Sequence, residues 1–269
     1  MRYSLTCALP MFRTKDIGWL ALESLCRQED IDFDWELVVV EEPEDCFSED
    51  RLRSYSERLE AVGCKSIQYK QLEEWIPLAQ KWKLIADMSN SFGYLLVAAD
   101  CYSHPKRLSQ TNELLQEYEW TQSPLGPFYN IESDSQCIYD QQLANGHPCC
   151  LNMATRTELM RVIPMSDRRR SVDGWIYDQI GMHLLRPPKV GYNKSDDWKR
   201  GVDTHGLNNI SSGRGSKISL EPAPPFRKAH DDEPSQLSDV VPKDIASRLL
   251  ELRDAAIART TYIRMGISG

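Results

Sequence analysis

The sequence predicts an α/β protein with a mostly parallel central sheet flanked by helices. Three observations lead there. Residues 3–9 form an apolar, β-rich run stopped by Pro10, and residues 33–40 form a second run with WELVVV as its core. A helical segment lies between them. Strand, helix, strand with short connections opens a right-handed parallel βαβ unit. Farther along, the apolar run of residues 94–99 is bounded by Gly93 and Pro105 and ends abruptly on Asp100. A short run bounded in this way reads as a buried strand. A carboxylate just past its carboxyl end sits where α/β sheets place their ligands. The competing reading is that Asp100 only caps the next turn.

The remaining elements follow in order. Residues 17–28 put Leu20, Leu22 and Leu25 among polar neighbours, which predicts a helix. Residues 49–62 predict a charged amphipathic helix ended by Gly63, and residues 66–69 a short strand. Pro77 opens a helix over 77–90, a favourable place for proline. Residues 106–118 predict another helix. From 120 to 146 the pattern weakens, with frequent Pro, Gly, Ser and Asn, and loops are expected. A short strand over 149–154, a short helix over 157–162, a stronger helix over 171–185 and a strand over 189–192 come next. Residues 203–217, DTHGLNNISSGRGSK, read as a mobile loop. Residues 222–234 read as a Pro-rich connector, and 241–263 as a final amphipathic helix. No internal repeat is present.

Composition narrows the function classes. The 269 residues suffice for one large α/β domain or two small ones. No window approaches the roughly 18 apolar residues that a membrane span needs. Residues 1–10 lack a basic region followed by a long apolar core, so no signal peptide is expected and a cytoplasmic location is. The eight cysteines form no CxxC pair, and reduced thiols are expected. Cys137, His147, Cys149 and Cys150 match no usual zinc spacing. A net charge of −8 argues against a broad nucleic-acid surface but leaves room for a local basic pocket.

Several residues could carry chemistry. Carboxylates follow separate strand or helix ends: Glu41 with Glu42, Asp100, and Asp173. His205 lies far downstream. Lys81, Lys83, Arg200, Arg214 and Lys217 supply positive charge. Asp100 and His205 could hold a divalent cation whose shell diphosphate oxygens complete. Mg²⁺ and Mn²⁺ favour such a mixture. Asp173 could then be a general base on a hydroxyl. Each has a structural alternative: a solvated strand end for Glu41 and Glu42, a helix face for Lys81 and Lys83, a surface histidine for His205. Asp173 could simply be the carboxylate that helix N-termini favour, and Trp175 a core residue. Arg168, Arg169 and Arg170 read as a solvated turn. Spacing alone does not make these residues converge.

Three segments resemble a known family. They are the opening strand to Pro10 with ALESLCRQ (21–28) and ELVVVEE (36–42); KWKLIADMSNSFGYLLVAADCYSHPKRL (81–108); and LNMATRTELMRVIP (151–164) followed by VDGWIYDQI (172–180). In order and spacing they resemble the family 2 glycosyltransferases of the GT-A fold, and they span roughly residues 3–219. The resemblance implies a GT-A-type, Rossmann-like sheet with a C-terminal helical extension. A transferase domain would cover 1–220, its donor half 1–103 and its acceptor half 104–220, with the connector and helix in 221–269. It implies an inverting transfer of a sugar from a nucleotide diphosphate sugar, by family habit UDP-linked, to an acceptor hydroxyl on a glycan, a lipid-linked sugar or a modified polymer. Mn²⁺ or Mg²⁺ would assist.

Residue by residue, the resemblance puts Pro10 and Arg13 in the nucleotide pocket and Glu41 near base and ribose. Lys81 and Lys83 would face the donor, and Arg200, Arg214 and Lys217 would close over the diphosphate. Asp100 matches the second acid of the family's Asp-x-Asp, and Ala98 occupies the first acid's place, so the metal would have fewer protein ligands. His205 resembles the late metal-binding histidine. Asp173 matches the catalytic base, with Trp175 and Asn152 on the acceptor side. Two other readings stay open: a nucleotidyltransferase, which normally wants a Gly-rich loop where Pro10-Met11-Phe12-Arg13 stands, and a GT-A-like binding protein that has lost catalysis. A sugar transferase acting on modified DNA fits the acidic charge less well. Homo-oligomerisation is also open.

Overall fold

The larger sheet is built outward from β1 (Tyr3–Met11). In the computed structural model of the chain, residues 2–131, 133–144, 152–168, 172–193, 196–205 and 224–264 are described. On one side β1 pairs in parallel with β2 (Trp35–Glu41), which pairs in parallel with β3 (Cys64–Gln71). On the other it pairs in parallel with β4 (Ser91–Leu96). The sheet continues through β9 (Ala154–Arg156), β6 (Trp120–Gln122) and β10 (Val190–Tyr192), giving seven strands ordered β10-β6-β9-β4-β1-β2-β3. Within it only β9 runs antiparallel to its neighbours.

Two layers of helix cover this sheet, and the strand alternation decides which residues meet which layer. Leu5, Cys7, Leu9 and Met11 of β1 and Leu37 and Val39 of β2 face one core. That core contains α1 (Trp19–Leu25), buried residues of α5 (Arg107–Glu117), and the two C-terminal helices, α8 (Leu237–Val240) and α9 (Lys243–Arg264). Ala8, Val38 and Val40 face the other, with Trp82, Ile85 and Ala86 of α4 (Leu78–Met88). This second core also takes in α6 (Thr157–Val162) and α7 (Val172–Leu184).

The predicted α/β sheet flanked by helices is therefore present, and four local readings change. Residues 49–62 form two short helices, α2 (Glu49–Arg53) and α3 (Ser56–Ala61). The Ser54 hydroxyl donates back to the Arg51 carbonyl at 2.7 Å, offering the backbone an alternative to the helical ladder. Residues 120–146 hold strands, not loops alone: β6, β7 (Leu125–Asn130) and β8 (Ser135–Asp140). The start of the expected 203–217 loop is β11 (Val202–His205), and the connector contains β12 (Phe226–Arg227). With β5 (Cys101–Tyr102) these make a second, five-stranded sheet ordered β12-β8-β7-β11-β5. Among the described residues no helix is long and apolar enough to cross a membrane.

Candidate active site at the carboxyl edge of the sheet

The ends of β1 and β2 lie side by side, with Pro10 opposite Val40 and Met11 opposite Glu41. Glu41 is buried and accepts bonds from the Phe47 amide, the Ser48 amide at 3.1 Å, the Tyr69 hydroxyl at 2.8 Å and the Thr14 hydroxyl at 3.3 Å. Those four donors make it the organiser of the loops that follow β1 and β2. Glu42 is buried too, against Lys81 of α4 at 2.5 Å. Lys81 also reaches the Met11 carbonyl at 3.4 Å and lies 5.2 Å from the centre of the Phe12 ring. Burial pulls its ammonium below the usual value, while Glu42 pulls the other way. Among the described residues, oxygen Oε2 of Glu42 is buried without a hydrogen-bond partner. Lys83 pairs instead with Asp87 on its own helix at 2.6 Å. Arg13 stands exposed at φ 53°, paired with Glu44 at 3.1 Å.

A second group forms where β4 ends beside β1. Val97 still donates to the Ala8 carbonyl at 2.9 Å, and the chain then turns, with Cys101 donating to the Ala98 carbonyl at 3.2 Å. The turn delivers Asp100 to the carboxyl edge and Cys101 into β5. In β11, Asp203 lies directly opposite Cys101 in an antiparallel pair, so their side chains share a face. The ligand atoms of Asp100, Cys101 and Asp203 lie within 4.8 Å of one another. Cys101 and Asp203 are 5% and 6% exposed. Asp100 keeps part of its surface, yet desolvation pushes its carboxyl up to about 6. His205 follows two residues after Asp203 on the same strand, its backbone opposite Asn130. Two carboxylates and a thiol at this separation are a donor set suited to one divalent cation.

Buried polar residues fix this turn in place. Thr204 donates to the Asp100 carbonyl through its hydroxyl at 2.5 Å and its amide at 3.3 Å, tying β11 to the turn. Gln28, just beyond α1, donates to the His104 carbonyl at 3.1 Å and accepts from the Leu108 amide at 2.9 Å. Arg107 is fully enclosed and donates to the Ser103 hydroxyl at 2.7 Å and the Leu96 carbonyl at 2.5 Å. Desolvation lowers its guanidinium to about 10.

Asp173, Trp175 and Asn152 come from the other half of the chain. Topology carries Asp173 to the same edge. α7 leads through a short connection into β10, which runs parallel to β6, so the start of α7 lies toward the carboxyl ends of the parallel strands. Gln80, near the beginning of α4, bonds Asp167 just upstream of α7 at 2.9 Å, consistent with that placement. Burial raises the Asp173 carboxyl above its usual value. Trp175 is half-buried against the second core. Asn152 takes φ 56° and donates to the Ser123 hydroxyl at 2.9 Å. Arg200 is paired with Glu29 at 3.2 Å. Arg214 and Lys217 lie outside the described residues, as do His147, Cys149 and Cys150.

Sequence reasoning found Asp100 and passed over Cys101 and Asp203 as neighbours of it. The missed signal was the alternation in Val202-Asp203-Thr204-His205, whose period of two marks a strand with Asp203 on the face opposite to Val202 and Thr204.

No protein-family profile matches the chain, and no curated protein matches it. Solved structures do. Staphylococcus aureus TarS aligns at 14% identity and TM-score 0.54 over 72% of this chain and 35% of its own. Residues 1–349 of TarS in complex with UDP-GlcNAc align at 13% and TM-score 0.58, over 78% and 60%. The mannosyltransferase PcManGT from Pyrobaculum calidifontis, in complex with GDP-Man and Mn²⁺, aligns at 13% and 0.52, over 97% and 76%. The chain thus spans between about a third and three fifths of the TarS chains it matches. At these identities the likeness establishes architecture: the chain has the GT-A-like α/β fold found in glycosyltransferases.

Proposed function

We propose that the protein is an inverting, metal-assisted glycosyltransferase that moves a sugar from a nucleotide diphosphate sugar to an acceptor hydroxyl. The observation behind this is the convergence of Asp100, Cys101 and Asp203 at the carboxyl edge of a GT-A-like sheet, with Asp173 opening α7 toward the same edge. The structural relatives were solved with UDP-GlcNAc, or with GDP-Man and Mn²⁺. A UDP-linked donor is the family habit.

In this reading Pro10, Arg13, Glu41 and Lys81 border the nucleotide. The Glu41 network holds the loops after β1 and β2 rigid, so the pocket is formed before the donor arrives. Asp100 and Asp203, with His205 on the same strand, would hold Mn²⁺ or Mg²⁺. Such an ion supplies Lewis-acid neutralisation of the departing diphosphate. Asp203 offers a second carboxylate where Ala98 leaves none. Asp173 takes the proton from the acceptor hydroxyl. A carboxyl raised by burial is the stronger base for that step. Trp175, beside Gly174, borders the acceptor. Arg214 and Lys217, with Arg200, would help neutralise the diphosphate.

The test is Asp173→Asn. Transfer should fall by about 10²–10⁴-fold, with nucleotide affinity unchanged in a thermal-shift titration. An equal loss of nucleotide binding would remove Asp173 from the role of base. Ala98 favours one second reading, a binding protein of this fold without turnover. Donor hydrolysis by the wild-type chain excludes that reading.

A further inference from the structure

We propose that Cys101 is itself a metal ligand, and that its thiolate turns the site from Mg²⁺ toward thiophilic divalent ions. This rests on the metal site of the proposed function and assigns it an ion class. The first observation is where the thiol sits. Cys7 and Cys64 are part of the main hydrophobic core, and Cys137 belongs to the small apolar cluster of the second sheet. Cys101 is buried too, yet among the described residues it is in none of the three hydrophobic clusters. It lies instead among carboxylates, with Sγ 3.8 Å from Asp100 Oδ1.

The second observation is how it is held there. Cys101 and Asp203 are opposed in register across β5 and β11, a pairing that fixes both side chains on one face. A metal about 2.3 Å from sulfur and about 2.1 Å from oxygen, in tetrahedral geometry, separates S and O by roughly 3.6 Å. The observed 3.8 Å already approaches that spacing.

Ligand chemistry then gives the direction of selectivity. Oxygen donors alone suit Mg²⁺ and Mn²⁺, whereas a thiolate adds affinity for Co²⁺ and Zn²⁺ and little for Mg²⁺. On binding, the metal–sulfur bond forms as the S–H proton leaves to solvent. Nothing is oxidised or reduced. Ala98 removes the oxygen donor that Asp-x-Asp would have supplied at that point of the turn, and the thiol three residues on supplies a softer one.

The experiment is Co²⁺ titration of the full chain, reduced and free of other metals, followed by absorption. Coordination by Cys101 gives a sulfur-to-cobalt charge-transfer band in the near ultraviolet that saturates at one Co²⁺ per chain. In Cys101→Ser the band is expected to vanish while Co²⁺ still binds through oxygens, and the preference for Co²⁺ over Mg²⁺ to fall at least tenfold. Cys101→Ala serves the same comparison should the serine variant not fold. Co²⁺ binding without the band in the wild-type chain overturns the thiolate assignment and leaves the metal site standing. A band that persists in C101S also overturns it, by placing the thiolate on another cysteine. Absence of any Co²⁺ or Mn²⁺ binding overturns the metal site as well. UDP and GDP thermal shifts, read in the same samples, report separately on the nucleotide pocket.

Discussion

At the scale of single residues, the site is set by which polar groups are held and which are left to act. Glu41 illustrates the first. Its position at the end of β2 was legible in ELVVVEE, but its four donors were not, because they come from two separate loops and β3. Asp100 illustrates the second. It was legible because an apolar run cannot continue through a carboxylate. Asp100→Ala should abolish the metal dependence of nucleotide binding, seen as equal thermal shifts with and without Mn²⁺. A metal response as large as wild type would place the ion elsewhere. His104 behind the turn gives a pH prediction. It is buried, with Nε2 3.3 Å from the Asn193 amide nitrogen. That amide nitrogen only donates, so Nε2 accepts and Nδ1 holds the proton. Desolvation first, then Arg107, lowers its pKa to about 3. In the unfolded chain histidine titrates near 6.5. Between those values the unfolded state binds more protons. The contribution is therefore complete above about 6.5 and is lost as pH falls toward about 3. The slope approaches about 1.4 kcal/mol per pH unit. His104→Asn should flatten that limb in urea unfolding at graded pH. An unchanged slope assigns the acid sensitivity to other groups.

At the scale of elements, legibility followed length and locality. The helices over 78–88, 107–117 and 172–184 and the first two strands announced themselves through periodicity within their own residues. β6, β7 and β8 did not, because each has only three to six residues and, apart from the β7–β8 hairpin, their partners are β9, β10, β11 and β12 farther along the chain. The unread second sheet is also what brings Asp203 to Asp100, so half of the proposed metal site was hidden with it. Gly201 shows how closely β11 approaches. A Cβ there would stand 2.8 Å from the His104 amide nitrogen and 2.8 Å from the Tyr102 carbonyl oxygen. Both are backbone atoms and cannot rotate away. Gly201→Ala should therefore push β11 off β5 and separate Asp203 from Cys101. Metal affinity should fall at least tenfold, with a loss of about 1–3 kcal/mol in stability. Calorimetric Mn²⁺ titration and denaturant unfolding read the two effects. Wild-type affinity in a destabilised variant would show that β11 does not place a ligand.

At the scale of the whole molecule, the C-terminal helices join parts that the sequence presents as distant. The amphipathic pattern and Pro242 made the last helix legible, but not its place. Leu237, Val240, Val241, Ile245 and Leu249 are buried in the same core as β1 and α1. Asp244 pairs with Arg27 at 2.5 Å, and Arg248 stacks 3.8 Å from the centre of the Trp19 ring. Arg253 pairs with Asp134 in the turn between β7 and β8, so one helix touches the layers beside both sheets. The exposed ion pairs contribute little each, about 0–1 kcal/mol, and the apolar side chains decide the outcome. Each fully buried Leu, Ile or Val is worth about 1.5–3 kcal/mol, so these five together rival the roughly 5–15 kcal/mol by which a domain is stable. A chain ending at Pro234 should therefore lose its cooperative melting transition or precipitate. It should also fail to bind nucleotide, even though the residues proposed to contact nucleotide and metal are all retained. A truncated chain that melts cooperatively near the wild-type temperature would show that the core under α1 closes without the helix.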